Sequence, residues 1–198
     1  MASDHPASRV QRVRHELHHR DLTVLRVDTP TPGFRRITFT GAELAGFTSA
    51  SFDDHVKLFL DAADGGEPVR RDYTPRQYDA AAGTLAIEFA LHGDGPAAHW
   101  ATQATPGQRA TIGGPRGSFI VPADFDWHLL AGDETALPAV ARRLEELPAG
   151  THVFVVLHVA DVADRRALDA ARAGRALDKL LSPYGTTIYQ IGRASCRE

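Results

Sequence analysis

Cysteine is almost missing from this chain of 198 residues: Cys196 stands alone, so no internal disulfide framework can hold the fold. Neither charge dominates, since 22 Lys plus Arg face 25 Asp plus Glu for a formal net charge of −3 with His neutral. That balance carries no footprint of a nucleic-acid partner. Long apolar runs are missing too, and nothing approaches the roughly 20 residues of a membrane helix. The start of the chain has no apolar stretch of the secretory kind, so the expected setting is cytoplasmic, with no integral membrane segment. What remains suits a globular chain: 43% of residues are hydrophobic and 17 are Gly, against the disorder that low apolar content brings.

Residues 1–20 read as a flexible, solvated N-terminal arm, whose stretch from Arg9 to Arg20 holds Arg9, Arg12, Arg14 and Arg20 with three histidines. Within it His15-Glu16-Leu17-His18-His19 matches the H-E-x-x-H zinc pattern. The context excludes that chemistry: the segment lies directly before a strand and no second cluster supplies a third ligand. No metal site is expected.

Residues 21–122 read as an antiparallel β barrel. Val56, Leu58 and Leu60, and later Leu85, Ile87, Phe89 and Leu91, recur with period two, which marks half-buried strands. Thr29-Pro30-Thr31-Pro32-Gly33 breaks Leu22–Val27 from Phe34–Thr40. A short helix over Ala97–Ala104 interrupts the strands, Arg109–Ile112 resumes them, and the barrel ends near Val121-Pro122. Residues 123–191 change period to β-α-β: a strand over Trp127–Ala131, a helix over Glu134–Leu147, and a strand over Val153–Val159. A second helix is expected over Arg165–Leu181 and a third strand over Thr186–Ile191. About three strands fall short of the five or six of a doubly wound nucleotide domain. Residues 192–198 have no periodicity and read as a non-native tail.

Four stretches carry chemistry. In Arg70-Arg71-Asp72-Tyr73-Thr74-Pro75-Arg76, Arg71 can pair with a phosphate, Tyr73 can stack on a flat ring, and Thr74 can hydrogen-bond a ring heteroatom, with Pro75 ending the ladder. Together they suit a flavin dinucleotide, although a plain exposed strand reads the same in isolation. Gly95-Pro96-Ala97-Ala98 opens a helix with small residues, where free amides favour a pyrophosphate or simply cap a turn. Gly114-Pro115-Arg116-Gly117-Ser118 is a barrel turn or a loop against a dinucleotide. Gly132-Asp133-Glu134-Thr135 ends a strand before a helix, the place for a ligand at the carboxyl end of a parallel sheet or an ordinary capped helix start.

Taken in order over about Leu22 to Val159, these motifs resemble the siderophore-interacting protein family, FAD-dependent ferric-siderophore reductases of the ferredoxin reductase superfamily. The resemblance implies a β barrel plus α/β fold: a six-stranded antiparallel flavin-binding barrel, then a truncated parallel-sheet nicotinamide-binding domain. It also implies roles by position. Arg71 contacts the FAD pyrophosphate, Tyr73 packs on the flavin, and Thr74, the catalytic candidate, faces the N5 and O4 edge. His92, Gly95, Ala97 and Ala98 form a second flavin loop, and Gly132, Asp133, Glu134 and Thr135 the NAD(P)H loop. Arg70, Arg76 and Arg116 could attract an anionic ferric siderophore. The implied activity passes electrons from NAD(P)H through FAD to Fe(III)-siderophore, releasing Fe(II). Alternatives are a flavin reductase, a flavoprotein fed by reduced ferredoxin, and a non-catalytic siderophore-binding module.

Overall fold

A computed structural model describes residues 9–60, 69–91, 93, 95–159, 161–164, 176–181 and 186–192. The first half runs β1 (Gln11–Arg14), β2 (His19–Thr31), β3 (Phe34–Thr40), a 3-10 turn over Ala42–Leu44, β4 (Val56–Leu60), β5 (Val69–Tyr73), β6 (Pro75–Asp79) and β7 (Thr84–Ala90). Helix α1 (Pro96–Gln103), β8 (Arg109–Gly113) and β9 (Gly117–Ile120) complete it. Seven of these segments form one antiparallel sheet in the order β5-β4-β8-β2-β3-β7-β6. The two outermost segments are consecutive in the chain, with Thr74 alone between them. A sheet whose opposite edges are joined by one residue must curl until those edges meet. The six strands expected are therefore present, one of them broken at Thr74 and bridging the seam. Pro75 does not end the ladder as expected: it opens β6 opposite Ile87, and a register shift follows between Pro75 and Gln77.

The alternating residues point inward as their period requires. Ile37, Phe39, Leu58, Leu85, Ile87, Phe89 and Ile112 are all fully buried in one cluster. Each such side chain contributes roughly 1.5–3 kcal/mol of burial. Trp100 of α1 packs onto that cluster, 6.3 Å from Phe39 and 5.7 Å from Phe89 between ring centroids.

The second half has β10 (Trp127–Gly132), a 3-10 turn over Glu134–Ala136, α2 (Leu137–Glu146), β11 (His152–His158), a 3-10 turn over Val162–Asp164, β12 (Ala176–Leu181) and β13 (Thr186–Gly192). β10 and β11 pair in parallel across the α2 crossover, as the β-α-β reading expects. Leu137, Val140 and Leu144 of α2 meet Val153, Val155 and Leu157 of β11 in a second core.

Three expectations need correction. Residues 9–20 are largely exposed but do not run free: β1 pairs antiparallel with β9, and Arg20 is buried and donates to the carbonyls of Glu43, His18 and Gly114. The ladder accounts for this, because β9 otherwise leaves an open edge. The helix expected over Arg165–Leu181 is a strand from Ala176 onward, and its residues 165–175 lie outside the described ones. β13 runs antiparallel to both β11 and β12, so the sheet is mixed. Only four residues separate β12 from β13, too few for the crossover a parallel pair needs. Residues 193–198 of the expected tail also lie outside. No helix among the described residues is long and apolar enough to cross a membrane.

Polar contacts join the halves. Arg76 of β6 donates to Glu145 of α2 at 2.7 Å, and Arg143 donates to the carbonyls of Val121 and Pro122 at 2.9 Å each. Gly33 donates its N–H to Asp164 at 2.6 Å, and a Cβ there would overlap that carboxylate. Phe34 leaves the barrel and enters the second core.

Candidate functional site

A half-open cleft of about 230 Å³ lies where the seam of the barrel meets α1 and the turn before α2. Arg71 and Tyr73 line it from β5, Gly95, Ala97 and Ala98 from the start of α1, and Glu134 and Thr135 from the second half. Seven residues singled out in the sequence thus line one cleft. Register explains the first two: Arg71 faces Leu58 and Tyr73 faces Val56 across the ladder, on the inward side of β4. Tyr73 lies against Phe89 at 4.4 Å between centroids. Burial pushes its phenol up to about 12, with the nearby Arg71 charge pulling the other way, so the ring is neutral and presents an apolar face.

Arg71 is exposed and its one hydrogen bond among the described residues goes to the Arg70 carbonyl at 2.9 Å, leaving guanidinium donors for a ligand. Opposite it, α1 begins without a side-chain cap on its N-cap residue, Gly95, and with Pro96 in its first turn. The first amides of a helix have no intrahelical acceptors and point at the positive end of its dipole. A Cβ on Gly95 would meet nothing within 4 Å, so the space before these amides is open.

Several expected residues stand elsewhere. Thr74 is half-buried at the seam but does not line the cleft. Gly132 and Asp133 sit behind it: a Cβ on Gly132 would lie 2.5 Å from that of Ala136, and Asp133 caps the turn by accepting from Thr135 N at 2.9 Å. His92 lies outside the described residues. Arg76 is not free to attract a chelate, because its side chain is 8% exposed and engages Glu145 and Glu88. Burial acts to lower its pKa, but the Glu145 hydrogen bond and the charges of Glu145, Glu88 and Glu146 hold it above the ordinary value. Residues 15–18 form no helix, so the H-E-x-x-H histidines share no helical face.

Sequence reasoning missed Phe34, Asp72, Glu88, Ala90 and Pro138 in the same cleft. Glu88 carried a signal, being the one acid in the apolar run Thr84–Ala90; it is 2% exposed and accepts from Arg36 Nε at 2.8 Å. A second hollow of about 170 Å³ is lined by His19, His55, Lys57, Phe59 and Arg116, of which the sequence pointed only to Arg116. Its link to the first is an ion pair: Lys57 Nζ donates to Asp72 Oδ1 at 2.7 Å, and Asp72 lines the cleft.

A curled antiparallel barrel with an arginine-tyrosine seam and a β-α-β unit behind it has a ferredoxin reductase-like fold. Family models agree: the siderophore-interacting FAD-binding domain matches residues 23–68 and 62–119, and the siderophore-interacting protein model matches residues 125–180. A siderophore utilization protein from T. fusca superposes with a TM-score of 0.76 at 39% identity, over 81% of this chain and 68% of that one. The NADPH-dependent ferric-chelate reductase of Escherichia coli is 46% identical over 69% of this chain and 60% of its own length. Ferric vibriobactin reductase ViuB of Vibrio cholerae is 34% identical over 66% of this chain and 55% of its own. The chain belongs to the siderophore-interacting protein family and carries its FAD-binding domain. It spans little more than half the length of these two curated relatives.

Proposed function

We propose that the chain is the flavin-bearing part of a ferric-siderophore reductase that uses NAD(P)H and FAD to reduce siderophore-bound Fe(III) to Fe(II), in the cytoplasm. The observation that carries this reading is the convergence of Arg71, Tyr73 and the first turn of α1 on one cleft. Their chemistry fits the cofactor: a cation and backbone donors for a pyrophosphate, and a neutral aromatic face for a flat ring. Bound FAD would supply the conversion of a two-electron hydride into single electrons, so one NAD(P)H serves two ferric ions.

The chain's own groups bind and orient. Arg71 would hold the pyrophosphate with Ala97 and Ala98, Tyr73 would support the ring, and Thr74 at the seam would donate to its reactive edge. Gly132, Asp133, Glu134 and Thr135 would shape the nicotinamide side, where Asp133 keeps the turn closed. The second hollow suits an anionic ferric chelate, since Lys57 and Arg116 both line it. Hard oxygen ligands hold Fe(III) better than Fe(II), so reduction releases the metal.

Reconstitution with FAD tests the reading directly. Arg71→Ala should weaken FAD binding by about 1.5–3 kcal/mol, the worth of a charge-assisted bond, read as loss of visible absorbance after gel filtration. Full retention would remove Arg71 from the site. Thr74→Val should leave FAD content intact and slow flavin reduction in stopped flow; unchanged rates would refute the Thr74 role. Reduced ferredoxin is the competing donor, and comparing it with NADH and NADPH separates the two.

A further inference from the structure

On the far side of the 15–18 loop lies a third hollow, of about 330 Å³, which shares no lining residue with the cleft. Its walls are predominantly polar, with Arg14, His15, His18 and Arg20 against the single acid Glu16. The decisive group is Arg20, 6% exposed yet without a carboxylate in salt-bridge contact among the described residues. Its Nε donates to the Glu43 carbonyl at 3.0 Å, and Nη1 to the carbonyls of Gly114 at 3.0 Å and His18 at 3.4 Å. Its Nη2 meets no acceptor among the described residues. The Glu43 carboxylate, the nearest candidate counter-ion, accepts instead from the Asp21 amide at 2.5 Å. Burial pulls the Arg20 guanidinium below its ordinary pKa, with only the Tyr78 and Glu43 charges opposing it.

A cation taken from water and met only by neutral carbonyls and the face of the Phe47 ring, 5.2 Å from its centroid, is under-compensated, and an anion in the adjoining space relieves that cost. Arg14 at the rim has no acidic partner among the described residues, and Thr48 adds a hydroxyl. Two guanidiniums with a hydroxyl match the several oxygens of a tetrahedral oxyanion, while His15 Nε2 is held by Ser118 Oγ at 2.8 Å and His18 Nε2 faces Glu16 at 3.6 Å. The volume accommodates one with its water, at ~30 Å³ per water molecule.

We propose that this hollow is a binding site for a compact phosphate-class oxyanion, free or carried on a nucleotide, separate from the flavin cleft. The site stands whether or not the flavin reading does.

Isothermal titration of the FAD-loaded full chain with inorganic phosphate, against chloride at equal ionic strength, tests it. Saturable heat with phosphate alone is expected, with the same affinity before and after FAD loading, which removes the cleft as its source. Arg14→Glu, an exposed rim change that spares the fold, should weaken phosphate binding about tenfold. Arg20→Gln should abolish it; should that variant unfold, Arg14→Glu still decides. Binding of adenosine 2′,5′-bisphosphate but not free phosphate, lost in Arg14→Glu, assigns the anion to a nucleotide and supports the site. Equal response to chloride, preference for citrate over every phosphate, or phosphate binding indifferent to Arg14→Glu would overturn it.

Discussion

The barrel and the β-α-β half hold themselves together in different ways. Barrel strands enclose their own apolar side chains on all sides, and α1 covers the mouth with Trp100. In the second half α2 covers one face of β10 and β11, while on the other face Trp127 is 58% and Leu129 56% exposed. The second core also borrows Phe34 from the barrel, and its helix docks through Arg76–Glu145 and Arg142. Arg142 Nη1 donates to the Pro75 carbonyl and to Ser49 Oγ, each at 2.8 Å, so α2 grips the chain one residue past Thr74. The lesson is an asymmetry: the barrel shapes the cleft from its own core, and the second half is placed by its hold on the barrel seam.

That asymmetry can be broken on purpose. Phe89→Ala empties a fully buried site that supports both Tyr73 and Trp100, and should cost about 3–5 kcal/mol in urea unfolding together with FAD uptake. Intact FAD binding in that variant would separate the cleft from the barrel core. Glu145→Ala should cost less, about 1–3 kcal/mol, because Glu145 is 41% exposed while the Arg76 it leaves behind is buried. Its signature is regional: amide exchange should quicken in α2 and β11 and hold steady in β3 and β7. A uniform rise would make the two halves one cooperative unit.

The smallest effect concerns His128 of β10. Burial holds its pKa below the ordinary 6.5, with the Arg143 charge acting the same way and the Ala123 carbonyl opposing. A base lowered in the folded state is protonated more readily when unfolded, so its contribution is present above pH 6.5 and is lost as pH falls toward the folded value. Between pH 7.5 and 5.5 the melting temperature of His128→Asn should therefore fall less than that of the parent. An equal fall would assign the acid sensitivity to other groups.

Much of this was legible beforehand where neighbours in sequence do the work. Period-two runs such as Leu85–Leu91 announce their strand because alternate side chains must enter one core, and Gly95-Pro96 announces a helix start because Pro fits the first turn. The Arg71–Tyr73 spacing placed two cleft groups on one face for the same reason. What escaped notice depends on partners far along the chain. Arg20 looked like part of a solvated arm until β9 offered an edge for β1. Arg76 looked like a surface charge until Glu145 arrived from α2. Lys57, lone in an apolar strand, meets Arg116 only because the 113–117 loop folds back beside it.

Local order in the chain was thus settled by periodicity, turn chemistry and the Arg71-Asp72-Tyr73-Thr74 motif, because these act over a few residues. Which groups share a cavity, which cations find carboxylates, and the sense of β13 in its sheet were decided by closure of the barrel and the short span between strands. Those are contacts between distant segments, and no reading of neighbours contains them.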